Sequence, residues 1–194
     1  MAIHIMILGA GITGLTSALA LSDNLLDTLA KITIFEVRSA PATIGGAVNL
    51  TPKALRYLDH LGVHDIILQN GFGARSLLDL LKEQNDTEIV YGKKVVEIVE
   101  SPQDVTLKFE DGETVSGDVL LGCDGIHSAV RSLLTDPERN PTYTGASVVM
   151  ATSNVRPEAT TPWKSTGLIS SRQGKLMCTY YCTHRIAQSS SSAQ

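Results

Sequence analysis

AIHIMILGAGITGLTSALAL, residues 2–21, decides how the rest of the chain is laid out. Residues 2–8 are a continuous apolar run ending at Gly9, the pattern of a strand buried on both faces. From Ile12 onward apolar residues recur at helical spacing without proline, and KITIFEV (31–37) returns to β-branched composition. Strand, glycine turn, helix and strand make a βαβ unit, whose two strands lie parallel and whose crossover is right-handed.

Gly9, Gly11 and Gly14 stand in G-x-G-x-x-G spacing inside that unit. The first glycine permits the tight turn, the second lets backbone approach a pyrophosphate, and the third lets helix and strand pack closely. Phosphate charge would face the free N–H groups and positive dipole end of the helix. Glu36 closes the second strand about 20 residues later, where an acid can hold a ribose 2′-hydroxyl and disfavours a 2′-phosphate. The plainer reading is a glycine-rich turn with a solvated glutamate. Arg38 reads either as a flank to adenosine or phosphate, or as a surface arginine.

Further along, TPKALRYLDHLG (51–62) predicts a helix capped by Thr51, opened by Pro52 and closed by Gly62. ARSLLDLLKEQ (74–84) predicts a second amphipathic helix with Leu77, Leu80 and Leu81 on one face. KVVEIVES and DVTLKFEDGETVSGDVLLG alternate in period two, with Asp111-Gly112 as a hairpin turn. This antiparallel piece feeds a strand that ends at CDGIHSAVR (123–131), where a helix is expected to begin after Asp124-Gly125. Beyond it, DPERNPTYTG reads as a loop, while ASVVMATSNV and KLMCTYYCT read as strands separated by a polar stretch around Pro162 and Trp163. AQSSSSAQ (187–194) reads as a disordered tail.

At 194 residues, 43% hydrophobic and 19% charged, the composition is that of an ordinary globular chain with one sizeable core. A net charge of −4 with scattered basic residues argues against nucleic acid. No apolar run approaches the roughly 20 residues needed to span a bilayer, so the expectation is a soluble, cytoplasmic protein without a membrane partner. Three cysteines do not form a disulfide framework. Cys178, Cys182 and His184 read as strand residues rather than metal ligands, because a three-residue gap in a strand puts both thiols on one face as ordinary apolar side chains. The expected core is Ile5, Ile7, Ile32, Ile34, Leu120 and Leu121.

GAGITGLTSALAL, FEVR, GGAVNLTPKALRYLDHLG and GDVLLGCDGIHSAVR, in this order, resemble the FAD-dependent aromatic hydroxylases, single-component flavoprotein monooxygenases of the salicylate and p-hydroxybenzoate hydroxylase type. The resemblance runs from residue 2 to about residue 145. It implies a Rossmann-like three-layer α/β FAD-binding domain over residues 1–141, with a largely parallel sheet. A partial antiparallel substrate-domain sheet would follow over 142–186. By resemblance Gly9, Gly11 and Gly14 would cradle the FAD pyrophosphate and Glu36 would bind the adenosine ribose. Gly45, Gly46 and Ala47 match the small-residue segment passing close to the flavin, although such a glycine pair also suits a turn. Arg75 resembles the arginine that reaches FAD from a helix start, or is a solvated first-turn arginine. Asp124 and Gly125 match the motif that touches FAD and is implicated in nicotinamide-cofactor binding. His127 reads as a helix-start or packing residue and Arg131 as a structural or phosphate-side cation; no side chain is assigned as catalytic acid or base.

The implied activity is NAD(P)H-dependent hydroxylation of a small aromatic or related organic substrate through a flavin C4a-hydroperoxide. Two departures bear on it. Between Gly62 and Arg75 there is only VHDIILQNGFGA, where the family carries a long excursion of strands over the substrate. The later Gly-Asp motif that contacts the ribityl chain is missing; Gly117-Asp118 precedes the Asp124 strand. The expectation is a truncated chain ending within the substrate-side sheet, its flavin open to water, where a hydroperoxide decays to hydrogen peroxide. The alternatives are an inactive FAD- or nucleotide-binding fragment and a flavin-dependent reductase.

Overall fold

The computed structural model describes residues 3–25, 30–41, 51–63, 74–82, 84, 86–139, 142–145, 167–170 and 175–178. β1 (Ile3–Leu8), α1 (Ile12–Asn24) and β2 (Ala30–Glu36) form the βαβ unit that the sequence predicts. β1 and β2 run parallel with Ile5 opposite Ile32 and Ile7 opposite Ile34. On the other side of β1 lies β7 (Val119–Gly122), also parallel, with Ile7 opposite Leu121. β3 (Thr87–Tyr91) pairs parallel with β2, giving the order β3-β2-β1-β7.

Successive strand residues point to opposite faces, and both faces of this sheet are covered. Ile5, Ile7, Ile32 and Ile34 face a helical layer, packing with Leu15, Ala18 and Leu19 of α1, Leu58 of α2 (Pro52–His60) and Leu77 and Leu81 of α3 (Ala74–Leu81). Met6, Leu8 and Phe35 face the other way, onto Ile98, Leu107 and Phe109. Those residues belong to an antiparallel sheet of β4 (Val95–Glu100), β5 (Val105–Phe109) and β6 (Thr114–Gly117), ordered β4-β5-β6. The result is the expected three-layer α/β architecture, with a parallel sheet between helices and a smaller antiparallel sheet. Fully burying a side chain such as Ile7 or Ile34 contributes roughly 1.5–3 kcal/mol.

Local signals explain the element ends. The Thr51 hydroxyl accepts the Ala54 N–H at 3.2 Å and Pro52 opens α2. Asp111-Gly112 turns β5 into β6. His4 joins the two sheets: its N–H donates to Asp118 Oδ2 at 2.7 Å, and its carbonyl accepts the Asp118 N–H at 2.9 Å.

Three expectations are revised. β3 has no counterpart in the sequence reading. Leu120 and Leu121 are half-buried rather than central, because β7 forms an edge of the parallel sheet among the described residues; Leu120 packs on the antiparallel-sheet side and Leu121 on the helix side. β8 (Gly167–Ser170) pairs antiparallel with β9 (Lys175–Cys178), so a strand occupies part of the stretch read as a polar separator. The strand expected over ASVVMATSNV, the tail, Cys182 and His184 lie outside the described residues.

Candidate functional site

The site is built at the carboxyl ends of β2, β1 and β7, where three chain segments meet around Gly9. Gly9 adopts φ +99°, and a Cβ on it would lie 2.5 Å from the Cys123 carbonyl oxygen. Both a left-handed backbone and a close approach therefore require glycine there. The Gly9 N–H donates to the Phe35 carbonyl at 2.8 Å and the Cys123 N–H to the Leu8 carbonyl at 2.8 Å, extending both ladders past the strand ends. Gly14 packs α1 onto this turn: a Cβ on it would overlap the Gly9 carbonyl oxygen. The glycine corner and the Asp124 corner are thus in contact, as the resemblance implied by assigning both to one dinucleotide.

Gly11, at the N-cap of α1, has the opposite environment. A Cβ added to it meets nothing within 4 Å, and no side chain caps the helix. First-turn N–H groups of a helix lack intrahelical acceptors, so α1 presents free donors and its positive dipole end beside open space. That is what a pyrophosphate needs.

Glu36 is 6% exposed and uses both carboxylate oxygens inside the corner. Oε2 accepts the Ala10 N–H at 2.8 Å, and Oε1 accepts the Arg38 N–H at 3.0 Å. Each oxygen keeps a second lone pair, enough to accept a ribose hydroxyl. Arg38 contributes its main chain, its carbonyl accepting the Gly92 N–H at 2.8 Å, while its side chain is exposed.

Asp124 is arranged differently. Its Oδ2 accepts the N–H groups of Ala129, at 2.5 Å, and Val130, at 3.3 Å. Its Oδ1 is buried and has no partner. The chain after it makes a short 3-10 turn (Gly125–His127) before the helical segment that continues as a π-helical turn over Arg131–Thr135. The expected helix therefore starts later than Gly125, and Asp124 caps it from a distance. Arg131 Nη2 donates to the Ile126 carbonyl at 2.6 Å, holding the turn shut, and His127 is exposed. Cys123 faces Ser17 of α1 across 4.0 Å. Burial pushes its thiol pKa up; the Ser17 hydrogen bond opposes this and the nearby Asp124 charge adds to it.

Of the residues singled out by sequence, the structure brings together Gly9, Gly11, Gly14, Glu36, Asp124 and Gly125, with Arg38 adjoining through its backbone. Arg75 lies in the first turn of α3. Gly45, Gly46 and Ala47 lie outside the described residues. Sequence reading missed the donors Ala10 and Arg38 N–H, which are main-chain groups without a side-chain signature. A carboxylate with a buried, unpartnered oxygen beside an uncapped helix end suits a dinucleotide: a carboxylate oxygen can only accept, so its complement is a hydroxyl or N–H rather than a phosphate. Among the described residues no cluster of three or more His, Cys, Asp or Glu could hold a metal, and no helix is long and apolar enough to cross a membrane.

No family model matches the chain. A Bacillus subtilis (strain 168) protein assigned as a candidate FAD-dependent monooxygenase is 30% identical over 178 residues, 73% of this chain and 47% of that one. A 3-amino-4-hydroxybenzoate 2-monooxygenase of Streptomyces cremeus is 27% identical over 181 residues, covering 73% of this chain and 44% of its own. Among solved structures, Klebsiella pneumoniae R204Q HpxO complexed with FAD superposes with a TM-score of 0.55 at 25% identity, over 67% of this chain and 41% of that one. The chain spans less than half the length of these relatives. It is a homologue of FAD-dependent monooxygenases with the fold of the FAD aromatic hydroxylases.

Proposed function

We propose that the chain binds FAD across the Gly9 and Asp124 corners and is part of an NAD(P)H-dependent flavoprotein monooxygenase acting on a small aromatic or related organic substrate. The observation that carries the reading is the contact of these two corners beside an uncapped helix end, with Asp124 Oδ1 buried and unpartnered. Bound FAD supplies the electron transfer and oxygen chemistry. The chain's residues bind and orient it. The α1 N-terminus offsets pyrophosphate charge, Gly11 leaves room for it, Glu36 accepts from the ribose hydroxyls, and Asp124 Oδ1 accepts from a hydroxyl of the cofactor. Arg75, Gly45, Gly46 and Ala47 belong to the proposal through the sequence resemblance.

A second reading is nucleotide binding without turnover. Loading the protein with FAD, removing the excess by gel filtration and recording the spectrum tests the binding step. Retained bands near roughly 370 and 450 nm, the oxidised cofactor's own absorption, are expected; a colourless protein refutes the reading. Substrate-dependent oxygen uptake with NADH or NADPH then separates the two readings.

A further inference from the structure

Glu36 is held from outside the glycine corner as well as from within it. Lys93, in the turn between β3 and β4, donates its backbone N–H to the Glu36 carbonyl at 2.9 Å, and the neighbouring Gly92 N–H reaches the Arg38 carbonyl at 2.8 Å. The Lys93 side chain is only 12% exposed. Its Nζ donates to Asp111 Oδ2 at 2.6 Å and Glu113 Oε2 at 2.5 Å, both at the tip of the β5–β6 hairpin. It also lies 5.3 Å from the centroid of the Phe109 ring, and that ring is 4.9 Å from Phe35, the residue before Glu36. The stem of Lys93 is thus covered while its ammonium meets two half-exposed carboxylates, so the contact fixes where the chain lies more than it adds to stability. Hydrogen bonding to Asp111 and then Glu113 raises the Lys93 pKa, and hydrogen bonding to Lys93 lowers that of Asp111.

We infer that Lys93 is a positioning residue for the Glu36 carboxylate, tying the β5–β6 hairpin tip to the end of β2 and fixing the main chain from which Glu36 reaches Ala10 and Arg38. The inference rests on the FAD-binding reading for its consequence in affinity, but not for its consequence in the free protein. An ion pair that only stabilised the hairpin would leave the two hydrogen bonds of Glu36 untouched.

The test compares wild type, Lys93→Met, Lys93→Arg and the double variant Asp111→Asn/Glu113→Gln, with two readouts. In the free protein, amide hydrogen exchange of Ala10 and Arg38, the donors to Glu36, is compared with that of Gly9 and Cys123, which donate to main-chain carbonyls of the parallel sheet. Exchange at Ala10 and Arg38 is expected to speed by about tenfold more than at the two sheet amides in Lys93→Met and in the double variant, with Lys93→Arg restoring protection. In the FAD titration, Kd is expected to rise about tenfold in the same two variants, the usual scale for an outer partner that orients a binding group. Equal changes at all four amides overturn the inference, as does an unchanged Kd despite faster exchange. Failure of wild type to bind FAD refutes the functional reading, and the exchange comparison still decides the role of Lys93. If Lys93→Met does not fold, the hairpin double variant, which alters only partly exposed carboxylates, carries both readouts.

Discussion

Glu36 and Asp124 stand at the ends of the two strands that flank β1, and their carboxylates behave differently. Glu36 engages a backbone N–H with each oxygen, one in the glycine loop and one two residues ahead in its own chain. Asp124 gives one oxygen to the helical turn that follows and leaves the other buried with no partner. An unsatisfied buried acceptor costs on the order of 1–3 kcal/mol. The β2 end is therefore satisfied within the chain, whereas the β7 end keeps one buried acceptor open. The bracing differs too: an ammonium between two carboxylates beside Glu36, a hydrogen bond from Arg131 to the Ile126 carbonyl beside Asp124.

The largest expected effect separates the glycines between these two ends. Gly9→Ala should destabilise the protein by about 3–5 kcal/mol in urea denaturation, because positive-φ strain adds to overlap with the Cys123 carbonyl. Gly11→Ala, with φ −78° and open space around it, should change stability by less than about 1 kcal/mol while weakening FAD binding. Equal destabilisation by the two would mean that the open space at Gly11 is not there in solution.

Next come the carboxylates themselves. Glu36→Gln should cost about 2 kcal/mol, since the amide nitrogen must face a backbone N–H that needs an acceptor. Asp124→Asn keeps one oxygen for the Ala129 and Val130 N–H groups and exchanges an unpartnered acceptor for an unpartnered, uncharged donor, so its stability should lie within about 0.5 kcal/mol of wild type. Its FAD affinity should fall. If Asp124→Asn destabilises as much as Glu36→Gln, the contrast between the two ends is lost.

The smallest effect is in pH. Lys93 holds the Asp111 carboxyl below its ordinary value, so that contribution is present above the unfolded aspartate pKa and fades as pH falls through the lowered one. The Lys93 pKa is raised, so its contribution is full below the unfolded lysine pKa and fades as pH rises through the raised one. The difference in urea midpoint between wild type and Lys93→Met should be flat through neutrality and shrink below the aspartate range and above the lysine range. A difference that stays constant into acid would show that the pair does not act through charge.

The βαβ unit was legible because strands buried on both faces read as unbroken apolar runs and the glycines fall between them. β3 was not legible. TEIVY is short, and it pairs with β2, a strand distant in the chain, so no local pattern announces its place beside Glu36. CDG was legible as a strand end, but the helix register after it was not, because Asp124 caps amides five and six residues ahead rather than the adjacent turn. The spacing of Glu36 after the glycines was plain, while its use of both oxygens within the corner depends on main-chain groups that have no letter in the sequence. Lys93 reads as one charge in YGKK; its partners lie 18 and 20 residues away and meet it only once the hairpin folds over Phe109.

The account turns on the two corners forming one dinucleotide cradle, and calorimetric titration of FAD into wild type and Gly11→Ala, with their urea stabilities measured alongside, tests it most directly. The cradle predicts saturable binding to wild type and at least about tenfold weaker binding to an equally stable Gly11→Ala, because a methyl group would enter the space left for the pyrophosphate. Equal FAD affinity in the two proteins, or no binding to a folded wild type, would contradict it.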